Sequence, residues 1–254
     1  MPRVLLTVQY RGTRYAGWQR QENATAVQQI LEEALGSMFG QRIRIEGAGR
    51  TDSGVHAQAQ RAHADLPSAI SDRGLMLGVN NLLPPDIRIT DCRHVPSTFH
   101  CRFDAEAKTY LYRILTGPVA DAFLSETHAH VPHPLDARAM SAAAHFALGR
   151  HDFKSFTVLR PEVSSTWRTI QAIGVTESEK GLEIEVRADG FLRYMVRRIV
   201  GLLIETGRGK VPPTAMAAAL EPQYQKVRWT APAAGLTLVE IHYVSLPEPP
   251  ESLC

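Results

Sequence analysis

Arg42-Ile43-Arg44-Ile45-Glu46-Gly47-Ala48 and Ala57-Gln58-Ala59-Gln60-Arg61-Ala62-His63-Ala64 flank the run Gly49-Arg50-Thr51-Asp52-Ser53-Gly54-Val55-His56. In the outer stretches apolar and polar residues alternate, the period of half-buried strands, and the Gly-rich run between them has turn composition. An antiparallel pair is therefore predicted at 42–48 and 57–64, and its neighbours decide the fold. Upstream, residues 3–10 read as a buried strand and 24–38 as a helix with Val27, Ile30, Leu31, Leu35 and Met38 on one face. Downstream, a helix near 69–83 is stopped by Pro84 and Pro85, and a strand follows near 87–95. The first half thus reads β-α-β-β-α-β.

The second half repeats that order: a strand at 104–116, a helix at 136–149, strands at 166–177 and 182–189, a helix at 191–206 and a strand at 236–244. This is the split βαβ plan of ferredoxin-like and RRM-type sheets. The predicted class is α+β: two RRM-like halves, 1–103 and 104–244, sharing one largely antiparallel sheet, with helices on one face and an active cleft between the halves. The last ten residues, 245–254, are Pro-rich and predicted to be a disordered tail.

Composition narrows the function classes. A chain of 254 residues that is 44% hydrophobic and 21% charged is long enough and apolar enough for a packed core. Arg, Gly or Pro interrupts every long apolar stretch, and no signal-peptide pattern follows Met1, so neither a membrane span nor secretion is expected. Cys92, Cys101 and Cys254 form neither a disulfide framework nor a CxxC pair, which points to the reducing cytoplasm. The net charge is only +2, yet the basic residues are 23 Arg to 5 Lys, and residues 1–103 carry 12 Arg, no Lys and 9 acids. Guanidinium forks suit phosphate, although arginine excess also follows from genome composition.

The loop at 47–57 places an Arg, an Asp and a His among three glycines. It is no dinucleotide loop, because Asp52 stands where the third Gly belongs and no helix follows. Gly207-Arg208-Gly209-Lys210 is no P-loop either, with Ile204 and Val211 at the positions needing Gly and Ser or Thr. The His128-Ala129-His130-Val131-Pro132-His133 run invites a zinc reading. Pro132 and Pro134 make it a loop, however, and no Cys or acid sits at ligand spacing, so no metal site is expected there. On the 191–206 helix, Arg193, Tyr194, Arg197 and Arg198 fall opposite the apolar face, where a solvated arginine surface is the plain expectation.

The segment Gly49 to His56 resembles the hallmark Gly-Arg-Thr-Asp-x-Gly-Val-His stretch of the TruA family of tRNA pseudouridine synthases. The resemblance extends in order through Tyr15 to Gln21, Lys108 to Tyr112, Met195 to Gly201 and Ala231 to Leu236. Three positions depart from it: Arg11 where Asp is frequent, Ser53 where Ala is usual, and Cys101 in place of Ala in the Phe99-His100-Cys101-Arg102 run. The resemblance implies an isomerase that makes pseudouridine at positions 38, 39 and 40 of the tRNA anticodon stem-loop, with Asp52 as the catalytic nucleophile. It further implies that Arg50 holds the displaced nucleotide, Tyr110 stacks on the target base, Arg197 pairs with the Asp52 carboxylate and Leu236 packs beside it. A cytoplasmic homodimer with no metal and no small-molecule cofactor is expected. Two rivals share some of these features. A non-catalytic protein of two RRM-like halves needs RNP-type aromatic runs, which are missing, and a nucleoside glycosidase needs a second acid near Asp52.

Overall fold

The computed structural model describes residues 1–158 and 164–246. In chain order its elements are β1 (Arg3–Tyr10), α1 (Val27–Phe39), β2 (Ile45–Gly47), β3 (His56–Asp65), α2 (Asp72–Leu82), β4 (Ile87–Val95), β5 (Ala105–Thr116) and β6 (Ala129–Val131). There follow α3 (Ala137–His145), β7 (Gly149–Asp152), β8 (Trp167–Ser178), β9 (Gly181–Ala188), α4 (Met195–Gly207), α5 (Ala215–Leu220) and β10 (Leu236–Tyr243). The chain is α+β, with largely antiparallel strand pairing. Two compact units divide it, Met1–Glu106 with the segment from Leu238 onward, and Ala107–Thr237. Of the predicted tail, residues 247–254 lie outside the described residues. Among the described residues no helix is long and apolar enough to cross a membrane.

In the first unit the strand order is β4-β1-β3-β10, with the short β2 added to β3. Direct cross-strand partners project from the same face of a sheet. Val4, Leu6 and Val8 of β1 stand opposite Ala64, Ala62 and Gln60 of β3, and are fully buried. His94, the β4 partner of Val4, is bonded at 2.6 Å to Asp72 of α2, which identifies that face as the one beneath the helices. The alternate residues Arg3, Leu5 and Thr7 face the other way, together with Asp65, His63 and Arg61 of β3. Strand β2 is shorter than the predicted 42–48, because Arg42 and Ile43 precede the pairing that begins at Ile45↔Ala64.

In the second unit the order is β5-β9-β8-β7, with β6 parallel to β5. Tyr110, Tyr112 and Ile114 of β5 pair with Val186, Ile184 and Leu182 of β9, and all six are buried. This is the core face, and α3 packs against β8, α4 and α5. The helix predicted at 136–149 ends at His145, since the chain turns at Gly149 (φ +92°) into β7. The helix predicted from residue 191 begins only at Met195, because Tyr194 adopts a left-handed conformation at φ 63°.

Candidate active site

Asp52 sits in a loop that is fastened on both sides. Strand β3 holds one flank, where Gln60 donates from Nε2 to the Gly49 carbonyl at 2.8 Å and Ala48 N–H reaches Arg61 O at 2.7 Å. The segment after β1 holds the other. Trp18 N–H donates to Thr51 O at 3.2 Å, Gly54 N–H to Tyr15 O at 3.2 Å, and Tyr10 and Thr51 share a buried hydroxyl pair at 2.8 Å. Val55 N–H closes the turn on Asp52 O at 3.1 Å, and Gly54 takes φ +79° to allow it. His56 Nδ1 accepts from Gly12 N–H at 3.0 Å, so this histidine secures backbone. Fastened in this way, the loop presents a half-buried Asp52.

The close approach of these segments depends on Gly17, whose φ is +90° and whose position would bring a Cβ to 2.4 Å from Thr51 O and 3.0 Å from the Asp52 carbonyl carbon. No L side chain fits there. Arg50 is exposed and donates from Nε to Gln19 Oε1 at 3.1 Å; Gln19 in turn bonds Gln28 Oε1 of α1 at 2.7 Å. A chain of hydrogen bonds thus sets the direction of the Arg50 fork. Burial drives the Tyr10 phenol well above its usual range, keeping it a neutral partner of Thr51.

The other predicted residues belong to the second unit. Tyr110 lies on the core face of β5, 6% exposed, with its ring edge-to-face against Phe191 at 5.0 Å. Leu236 opens β10 and is buried just after Gly235, where a Cβ would meet Tyr112 Cζ at 2.6 Å. Tyr112 donates its hydroxyl to Pro232 O at 2.9 Å, fixing the 231–236 segment beside β5. Arg197 is half-buried on α4, and its Nε donates to Ala231 O at 2.8 Å, while Ala231 N–H returns to Arg197 O at 2.9 Å.

Two expectations about α4 change. Arg198 is not a solvated cation available to phosphate: it is 4% exposed and donates to the Thr157 carbonyl. Arg198 stands three residues after Met195 and four before Leu202, so the helical period puts it on the buried face, while Arg193 lies in the turn before the helix. Tyr194, read in the sequence as part of the polar helix face, instead ends the turn before the helix in a conformation that nothing in the sequence marks. It holds φ 63°, a sparsely populated state for a residue with a Cβ, and its ring lies 4.7 Å from Arg193, 5.4 Å from Arg197 and 6.0 Å from Arg198. Strain of this kind persists where surrounding structure enforces it, and it collects at functional sites. Of the histidines, His130 is committed to Gly117 O at 2.8 Å and His128 to Thr127 Oγ1 at 3.0 Å.

A family model described as tRNA pseudouridine synthase matches residues 6–104 and 142–244. The chain belongs to the tRNA pseudouridine synthase family. Relatives agree along nearly the full length of both chains. A tRNA pseudouridine synthase A of Pelobacter propionicus is 40% identical over 244 residues, 96% of this chain and 100% of the relative. Proteins of the same name from Myxococcus xanthus and Klebsiella pneumoniae are each 38% identical, over 96% and 95% of this chain and 92% and 90% of the relative. Among solved structures, one titled "Crystal Structure of a Cbf5-Nop10-Gar1 Complex" aligns at 12% identity with a TM-score of 0.32, over 79% of this chain and 54% of that one. Membership of the family makes the chain an isomerase of uridine to pseudouridine in tRNA.

Proposed function

We propose that the isomerase acts on uridines 38, 39 and 40 of the tRNA anticodon stem-loop, as a cytoplasmic homodimer, with Asp52 as its reactive carboxylate. The observation that carries this reading is the fastened loop from Gly49 to His56, in a chain whose family match spans both units. The reaction breaks the N1 to C1′ bond, turns the uracil and rejoins it through C5. It conserves every atom of the nucleotide and transfers no electrons to another molecule, so one ionised carboxylate is a sufficient reagent. Attack on C1′, attack on the base and abstraction of a sugar proton all use it. A stacked nucleotide must leave its stem to meet Asp52, and the lost stacking has to be replaced. Tyr110 is proposed as that platform, since an aromatic face accepts a base in any lateral orientation while the uracil turns. Arg50 is proposed to hold the displaced nucleotide, Arg197 to offset the Asp52 charge and orient its carboxylate, and Leu236 to pack beside it.

The test uses unmodified tRNA transcript incubated with enzyme and digested to nucleosides. The expected product is pseudouridine, abolished when uridines 38 to 40 are replaced by cytidine. Unchanged uridine would support an RNA-binding protein, and free uracil a glycosidase. Asp52→Asn keeps the side-chain shape and removes the anion, so a rate loss above about 100-fold with tRNA binding retained is expected. Turnover near the unsubstituted rate would remove Asp52 from the chemistry.

A further inference from the structure

The first unit gathers a second group of reactive side chains, away from the Asp52 loop and on the sheet face opposite its helices. Strand β3 delivers His63 to that face, and β2 sets Glu46 directly across from it. The turn after β4 carries His100 and Cys101. It is closed by Asp104 N–H on His100 O at 3.0 Å and by His100 N–H on the Asp104 carboxylate at 2.8 Å. Arg3 pulls the turn onto the sheet, donating to Phe99 O at 2.8 Å while its fork engages Asp65.

The result is a compact set of ligand atoms. His63 Nδ1 lies 3.2 Å from Cys101 Sγ, the rings of His63 and His100 meet edge-on with centroids 4.7 Å apart, and one ligand atom from each of His63, His100 and Cys101 lies within 4.8 Å of the other two. Beside them, Glu46 Oε2 is 3.1 Å from His100 Nε2. Cys101 is fully buried and His63 is 5% exposed, so the sulfur and one imidazole are already withdrawn from water.

We propose that His63, His100 and Cys101 bind a borderline-soft divalent cation of the zinc class, with Glu46 placed to take the fourth position. Two imidazoles and a thiolate are a donor set that selects such a cation over magnesium or calcium. Bonds of about 2.0 to 2.3 Å at tetrahedral angles separate ligand atoms by about 3.5 Å. The His63 to Cys101 and His100 to Glu46 spacings are close to that value already. The remaining closure falls to Glu46, 65% exposed, and to His100, 23% exposed, whose Nδ1 must exchange its contacts with the Arg102 and Phe103 N–H groups, at 3.2 and 3.4 Å, as its Nε2 takes the ion. Binding releases the Cys101 thiol proton to solvent, and the thiolate with the Glu46 carboxylate then balances the dication. Arg3 does not oppose this strongly, because its charge is met by Asp65 at 2.8 Å. The ion would pin the 96–104 turn to β2 and β3 in a structural role. His63 stands seven residues along β3 from His56, about 23 Å of extended chain from the end of the Asp52 loop.

Cobalt(II) reports this geometry, since a thiolate ligand produces an intense charge-transfer absorption. Titrating the purified full-length protein with cobalt should develop that band at one equivalent, zinc should displace it, and zinc should raise the melting temperature. Cys101→Ala should lose both the band and the zinc-dependent shift. Alanine is the residue that the family resemblance leads one to expect there, and the variant's own cooperative melt confirms that it folds. His63→Gln should weaken the band, Glu46→Gln should lower affinity by about 10- to 100-fold, and Cys92→Ala should leave binding intact. No thiolate band in the folded protein, or a band that persists in Cys101→Ala, overturns the site.

Discussion

At the residue scale, Arg197 and Arg193 lie on adjacent turns of chain yet are held differently. Arg197 is half-buried and tied through Nε to Ala231 O, which leaves the rest of its guanidinium in a fixed direction, whereas Arg193 is exposed and rests on Tyr194. A carboxylate that loses water over a flipped base favours its protonated, unreactive form, and a fixed guanidinium opposes that. Arg197→Ala is therefore expected to lower kcat by about 100-fold, the scale of one electrostatic contact in a desolvated site, with little change in tRNA affinity. Arg193→Ala should do the reverse, weakening binding and flattening its salt dependence by about one unit of slope while kcat is kept. Single-turnover rates and equilibrium binding of the two variants decide the matter. An Arg197→Ala enzyme that merely binds tRNA less well would make α4 a phosphate-contacting helix.

At the element scale, the loop around Asp52 owes its shape to residues far away in sequence. Its motif was legible because Gly, Arg, Asp and His crowd eight positions, but nothing local announces that Gly17 must lie against Thr51, or that Tyr10 must meet Thr51 across 41 residues. The same holds for His63 and Cys101, which are brought together only by the turn after β4. The long strands and helices were readable from their periods. Strands β6 and β7 escaped because three and four residues carry too little alternation to read, and α5 because its alanine-rich turn presents no clear apolar stripe. The start of α4 was misplaced because a left-handed Tyr194 breaks the helix without any Pro or Gly to mark it. Gly17→Ala tests the distant support of the loop. The added methyl meets the Thr51 carbonyl in a backbone state unsuited to it, a strain of about 1 to 3 kcal/mol. Thermal unfolding should show a lower Tm, and activity should fall further than the population of folded enzyme explains. Unchanged Tm and rate would mean that the loop does not depend on this contact.

At the scale of the whole molecule, a net charge of +2 is by itself a poor basis for holding a polyanion. The distribution matters more than the sum. Residues 1–103 carry 12 Arg against 9 acids, and part of that arginine is consumed internally: Arg3 by Asp65, Arg20 by Glu32, and Arg88 by the carbonyls of Leu83, Pro84 and Ile87. Arg14, Arg42, Arg44, Arg50 and Arg102 are exposed on the same unit. Each phosphate neutralised releases condensed counterions and contributes about 0.7 to 0.9 to the slope of log K against log salt, so five such contacts predict a slope of about −4. The arginines already paired with a carboxylate, Arg3 and Arg20, contribute less to that slope, because their charge is met within the protein. Binding of unmodified tRNA by the Asp52→Asn enzyme, measured between low and moderate salt, separates affinity from turnover and gives the slope directly. A steep line that becomes shallower in an Arg42→Ala, Arg44→Ala double variant assigns the grip to this local arginine surface. A flat line would mean that the excess of arginine over lysine reflects the composition of the genome, and that the enzyme holds its substrate through stacking and shape.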